Sequence, residues 1–314
     1  MTEIQLPLHG PDGEQVDLRR TFLSHGLASL PPMAVDDAGS WFEVTLRLQS
    51  STPRTVRVES MTADVARVSV SGGGVEDAVA AEIMAQLRHV LRLDENLSSF
   101  YRRAEKDKRL SWVTTGAGRM IRSQTVFEDV VKTICTTNCT WSATRRMIEA
   151  LVAHLGEAAA DAPKSGSTGR AFSTPSAMAN AGDDFYREVV RAGYRGAYLR
   201  KLASMVVDGE IDLERYAVVS QKELPDDAMA KELLALPGVG PYATAHIMLM
   251  LGRYSRPIFD SWTRPTYARL MGKETIEDAE IEKRFRRYRQ YAGLAFWLFV
   301  TKDWISESDI EVLD

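Results

Sequence analysis

A chain of 314 residues with 45% hydrophobic and 26% charged residues has the composition of a globular protein, with room for about two or three small domains or one large core. No apolar run approaches the roughly 18 residues needed to span a bilayer, and the opening MTEIQLPLHGPDGE lacks the basic start and apolar core of a signal peptide, so the expected setting is cytoplasmic with no membrane partner. Only Cys135 and Cys139 are present, which excludes a disulfide framework and a four-cysteine zinc or iron–sulfur site and leaves two small packing residues.

The net charge of −4 speaks against a polyanionic partner, but it is unevenly spread. Residues 1–100 carry 8 Lys/Arg against 14 Asp/Glu, residues 101–201 carry 17 against 10, and residues 202–314 carry 14 against 19. The basic middle third permits a nucleic acid.

In chain order, Phe42, Val44, Leu46 and Leu48 alternate with Glu43, Thr45 and Arg47, and the pairs Val56/Val58 and Val68/Val70 continue the period of two. This predicts antiparallel strands with one wet face. Gly72 to Gly74 end the sheet, and Val79, Ile83, Leu87 and Val90 give residues 75–91 helical spacing, completing an α+β domain over residues 1–95. Residues 96–314 read as helical. Thr125-x-x-Glu128 is a capping box before a helix with Phe127, Val130, Val131 and Ile134 on one face. A break at Thr136-Thr-Asn-Cys-Thr140 precedes a helix carrying Met147, Ile148, Leu151 and Leu155, and EAAADAPKSGSTGR (157–170) has the composition of a mobile loop. Further helices are expected around 176–181, 183–192, 196–207, 226–235, 242–252, 261–271 and 277–299. The expected fold class is mainly α: a helical bundle preceded by a small antiparallel-sheet domain.

Two stretches carry chemistry. In LPGVGPYATAHIM (236–248), Gly238 and Gly240 allow positive φ and leave the N–H groups of Gly238, Val239 and Gly240 uncovered at a helix start, a cradle for phosphate that an ordinary interhelical turn would also resemble. His246, inside the apolar run that follows, is expected to be a satisfied core histidine. In Ile258-Phe-Asp-Ser-Trp262, Asp260 is expected to be partly shielded from water and is also a natural helix cap, two readings that do not exclude each other. The basic KRFRRYR (283–289) is expected to be a solvated helix end, and GLAFWLFV (293–300), with Trp297, core.

LPGVGPYATA followed by IFD resembles the helix-hairpin-helix/GPD superfamily of base-excision DNA glycosylases. VLRLDENLSSFYRRAEKDKRL (90–110), GAGRMIRSQTVFEDVVKTICTTNCTW (116–141) and AGYRGAYLRKLA (192–203) are similar to successive segments of its alkylpurine (3-methyladenine) and 8-oxoguanine glycosylase branches. The resemblance implies a helix-hairpin-helix at about 226–252 in a bundle over 96–314. It implies a monomer acting on double-stranded DNA that contains a damaged base, in the nucleoid or an equivalent compartment. It also implies roles. Asp260 is the catalytic carboxylate, and Tyr242 and Trp262 belong to the substrate pocket. Gly238, Val239 and Gly240 hold DNA phosphates, Asn138 enters the vacated space, and Tyr194 and Arg195 meet the widowed base. Main-chain carbonyls of Leu234, Leu236 and Val239 hold a monovalent cation, K+ or Na+; no other cofactor is required. Cys139 and Thr140 depart from the family's gap-filling loop. Tyr242 stands where bifunctional members carry a lysine, and a phenol cannot form an imine, which implies hydrolysis to an abasic site. Two alternatives stay open: a non-catalytic, lesion-sensing relative, and a lyase recruiting Lys132 or Lys201. Whether the base is an alkylated purine or an oxidised guanine is also open.

Overall fold

The computed structural model describes residues 2–305; residues 306–314 of the expected helical domain lie outside the described residues. Strands β1 (Thr2–Pro7), β2 (Met33–Val35), β3 (Trp41–Leu46), β4 (Arg54–Ser60) and β5 (Val65–Val70) form one antiparallel sheet in the order β1-β5-β4-β3-β2, with α1 (Leu18–Phe22) in the connection after β1. The register sets Phe42 opposite Val58 and Val58 opposite Val68, so the apolar parity of three strands lines one face. Helix α2 (Asp77–Val90) covers that face with Val79, Ile83, Leu87 and Val90. The opposite face is polar, with Arg57 3.1 Å from Glu43 and stacked on Trp41. The edge strand β1 had no counterpart in the expected elements; its alternation spans only Ile4 and Leu6, and its partner β5 lies far along the chain.

The remaining chain is helical: α3 (Ser98–Ala104), α4 (Val126–Thr136), α5 (Trp141–Leu155), α6 (Pro175–Asn180), α7 (Arg195–Val207), α8 (Arg215–Val218), α9 (Asp226–Leu234), α10 (Pro241–Met250), α11 (Thr263–Leu270), α12 (Asp278–Phe285) and α13 (Ala292–Val300). Two apolar clusters organise it. One gathers α4, α5, α7 and α9; the other gathers α3, α11, α12 and α13. Helix α10 is the wall between them, giving Ala243, Ile247, Met248 and Met250 to the first and Ala245 and Leu249 to the second. Every residue from Ala243 to Met250 is buried, which is why the helix is apolar all round except at Thr244 and His246.

Three expectations change. The single helix over 277–299 is broken: α12 gives way to a 3₁₀ turn, Arg286–Tyr291, in which Arg289 adopts φ 55°, ψ −124°, before α13 resumes. The cause is tertiary, because the segment 254–257 crosses at Gly293, whose N–H donates to the Tyr254 carbonyl at 2.7 Å. The helix expected over 183–192 is shorter and wound differently: Asp183 and Asp184 begin it and Phe185–Val189 are π-helical. The capping box is half formed. Thr125 Oγ1 accepts from the Glu128 amide at 3.2 Å, while the Glu128 carboxylate turns to Lys132, 2.8 Å away. In KRFRRYR, Phe285 and Tyr288 are core and the basic residues face outward or flank them, as expected of a helix end.

Buried titratable groups give the fold an acid limit. Burial drives His25 down to about 3 and His246 to about 4; burial and the neighbouring Arg122 drive His89 to about 3. All three bind a proton when unfolded at pH below about 6.5 but stay neutral when folded, so stability falls as pH drops through that value. Burial raises Asp129 to about 6 and also pushes the neighbouring Glu128 up, and these two carboxyls work in the opposite sense, offsetting part of the effect of the three histidines. Unfolding by urea at pH 7 and pH 4.5 should show a net loss of several kcal/mol at the lower pH. Equal stability at the two values would contradict the buried, neutral state of the histidines.

Candidate active site

The site collects at the N-terminal ends of α10 and α11. Helix α9 ends at Leu234, and the chain turns through Leu236-Pro-Gly-Val-Gly240 into α10, with Pro241 at its first position. Gly238 has φ +77°, and a Cβ there would meet the Tyr198 ring at 2.9 Å, so the turn and the packing both require glycine. Gly240 corrects the expectation: its φ is −104°, a value any residue adopts, and the space beside it is open. What its missing side chain provides is access. The Val239 N–H is used within the turn, donating to the Leu236 carbonyl at 3.2 Å, whereas the Gly238 and Gly240 amides have no acceptor among the described residues. Among the described residues the carbonyls of Leu234 and Val239 accept no backbone hydrogen bond from outside the helices and that of Leu236 accepts one, so each retains a lone pair.

Asp260 is held by a reciprocal set of bonds. Its Oδ1 accepts from the amides of Trp262 (2.8 Å) and Thr263 (2.6 Å), its own N–H donates to Thr263 Oγ1 at 3.0 Å, and that hydroxyl donates to the Ile258 carbonyl at 2.8 Å. The carboxylate therefore caps α11 and is half-buried, as both readings of the sequence anticipated. One oxygen, Oδ2, takes no hydrogen bond among the described residues.

Tyr242, in the first turn of α10, is half-buried, with its hydroxyl 3.5 Å from Thr136 Oγ1. Burial raises its phenol above the ordinary value and the charge of Asp260 adds to this, against the Thr136 hydrogen bond. Trp262 is half-buried against Trp304 (5.0 Å between rings) and Trp297 (6.2 Å). His246, one turn beyond Tyr242 and 5.8 Å from its ring, is only 7% exposed, yet neither ring nitrogen has a partner among the described residues. It is a core histidine but not a satisfied one. His25, from the loop before the sheet's second strand, stands 5.7 Å from it.

Just past the C-terminal end of α4, the structure brings together the three residues expected at the gap. Asn138 is exposed in left-handed backbone (φ 49°), with Nδ2 3.4 Å from the hydroxyl of Tyr194, itself 55% exposed. Arg195 is 7% exposed rather than on the surface. Its guanidinium lies 4.6 Å from the Tyr194 ring and donates to the Thr137 carbonyl and, at 3.0 Å, to that of Asn138. Of the two lysines considered as amines, Lys132 is fully buried and paired with Glu128, and Lys201 is exposed on α7. Sequence reasoning did not single out His25 or Trp304, which no spacing ties to the rest.

No protein-family model and no curated protein matches the chain. Solved structures do. The chain is similar to the apo form of the Clostridium acetobutylicum 8-oxoguanine glycosylase/lyase, with a TM-score of 0.72 and 20% identity over 96% of each chain. It is similar to the 3-methyladenine DNA-glycosylase from Archaeoglobus fulgidus, with a TM-score of 0.70 and 19% identity over 96% of this chain and 98% of that one. The Clostridium enzyme in complex with double-stranded DNA containing cytosine opposite 8-oxoG gives a TM-score of 0.70 and 19% identity over 93% of each chain. An antiparallel-sheet domain followed by this helical bundle, end to end, gives the chain the fold of the helix-hairpin-helix DNA glycosylases.

Proposed function

We propose that the protein is a monofunctional DNA glycosylase of base excision repair, which extrudes a damaged purine from duplex DNA and hydrolyses its N-glycosidic bond. The observation that carries this reading is the Asp260 carboxylate, locked by the Trp262 and Thr263 amides with one oxygen uncommitted among the described residues and near enough to Tyr242 for its charge to act on that phenol. The end-to-end likeness to glycosylases named for 3-methyladenine and 8-oxoguanine supports the purine. In the reaction a water oxygen bonds to C1′ of the sugar, the C1′–N bond breaks with its electron pair going to the base, and a water proton is released. Asp260 stabilises the positive charge that develops on the sugar and orients the water. The Gly238 and Gly240 amides, with Val239 between them, hold phosphates of the strand. Asn138 enters the vacated space, and Tyr194 and Arg195 meet the widowed base. A K+ or Na+ ion on the carbonyls of Leu234, Leu236 and Val239 would brace the hairpin.

Tyr242 makes the reading testable, since no amine stands in its place. Duplexes carrying one 8-oxoguanine or one 3-methyladenine should lose the base and keep an intact strand that breaks only on alkali, and borohydride should trap no protein–DNA adduct. Tyr242→Lys should gain weak trapping and nicking while losing part of the base release. Duplex binding without release of any base would favour the lesion-sensing alternative. An adduct on the unmodified protein, mapped to Lys132 or Lys201, would make it a lyase.

A further inference from the structure

Two buried histidines, His25 and His246, have no part in the reaction above. His25 is 3% exposed, and its Nε2 lies 2.5 Å from the Ile121 carbonyl. A carbonyl can only accept, so Nε2 carries the hydrogen; in the neutral ring that leaves Nδ1 as a bare acceptor. That Nδ1 is buried with no partner, and so are both nitrogens of His246. None of these three nitrogens has a hydrogen-bond partner among the described residues. His246 is faced by the rings of Tyr242, at 5.8 Å, and Trp297, at 6.2 Å, and the Trp297 Nε1 is already committed to the Ser24 carbonyl at 2.8 Å. Three unmet nitrogens in one cluster are rare in a folded interior, where nearly all buried polar atoms are paired. Burial keeps both rings neutral at pH 7.

The position of the cluster says what it meets. His246 follows Tyr242 by four residues and shares its face of α10, so a planar group stacked on the Tyr242 ring presents an edge to His246 and, beyond it, to His25. The charge of Asp260 also acts on Tyr242. We infer that His246 and His25 form the hydrogen-bonding floor of the base pocket, and that they select a purine lesion which offers an N–H donor to Nδ1 of His25 and pairs with a ring nitrogen of His246. The inference rests on the glycosylase reading and adds to it the residues that discriminate between bases. It also explains why a histidine is tolerated where an apolar residue would pack without cost: its nitrogens are unmet only until a base arrives.

The test separates recognition from catalysis. Protein labelled with 15N-histidine, which has five histidines, is bound to a duplex with a tetrahydrofuran abasic site, and free 8-oxoguanine or free 3-methyladenine is then added. The expected result is that the imidazole resonances of His25 and His246 move on adding at least one base and not on adding the abasic duplex alone. His246→Phe should weaken binding of that base at least tenfold, leave affinity for the abasic duplex unchanged and leave Tm unchanged or raised, because it removes two unpaired nitrogens. His246→Gln should recover part of the base binding. Resonances indifferent to both bases, or already shifted by the abasic duplex alone, would overturn the inference, the latter indicating bound water. So would a His246→Phe protein of lower Tm that binds the base normally, which would make the histidine structural. Absence of base release from intact lesion duplexes would count against the glycosylase reading, which this binding experiment does not depend on.

Discussion

Asp260→Asn should abolish base release while leaving the protein folded and bound to DNA. The amide oxygen can still accept from Trp262 and Thr263, so the cap on α11 survives and the stability cost stays near that of a conservative surface change. What disappears is the negative charge opposite the developing sugar cation. Loss of such stabilisation costs on the order of 3 kcal/mol, about a hundredfold in rate or more. Single-turnover release from a lesion duplex measures it, with duplex affinity measured beside it. A variant retaining more than about a tenth of the wild-type rate would show that the carboxylate is only a helix cap.

The second large effect concerns Gly293. A Cβ at this position would lie 2.2 Å from the carbonyl oxygen of Arg256 and 2.6 Å from its carbonyl carbon, both main-chain atoms that cannot rotate aside. Gly293→Ala should therefore push apart α13 and the segment that runs through Ile258 to Asp260. Overpacking against rigid backbone puts the loss at about 3 kcal/mol or more. Thermal or urea unfolding reads it directly, and base release should fall further than stability alone requires, because the displaced segment carries the carboxylate. A Tm within about 1 °C of wild type would show that the crossing is looser than the contact implies.

These two positions show what could be read from the residues and what could not. The period-two alternation at Phe42 to Leu46 and the period-3.6 spacing at Val79 to Val90 are local signals, and both gave elements of the expected type. The hairpin and Asp260 carried short, ordered motifs that singled them out before any coordinates. Arg286 to Tyr291 were different: nothing local forbids helix there, and the break comes from a segment some thirty residues earlier crossing at Gly293. Gly240 looked like a conformational glycine and proved an unstrained one, because composition does not distinguish a residue chosen for φ from one chosen for the space beside it. His25 and His246 belong to elements far apart in sequence, and only burial without partners marks them. Arg195 was legible as an arginine beside an aromatic, but not as a buried one.

That buried arginine has a thermodynamic consequence. Asn138 adopts a left-handed conformation that costs a non-glycine residue about 1 kcal/mol or more, and the Arg195 guanidinium fastens the carbonyls on either side of the turn while the protein is alone. The conformational entropy of this loop is thus surrendered during folding, when the whole core forms, and not during association. On the glycosylase reading proposed above, a duplex would meet a preformed projection rather than a segment that must first organise.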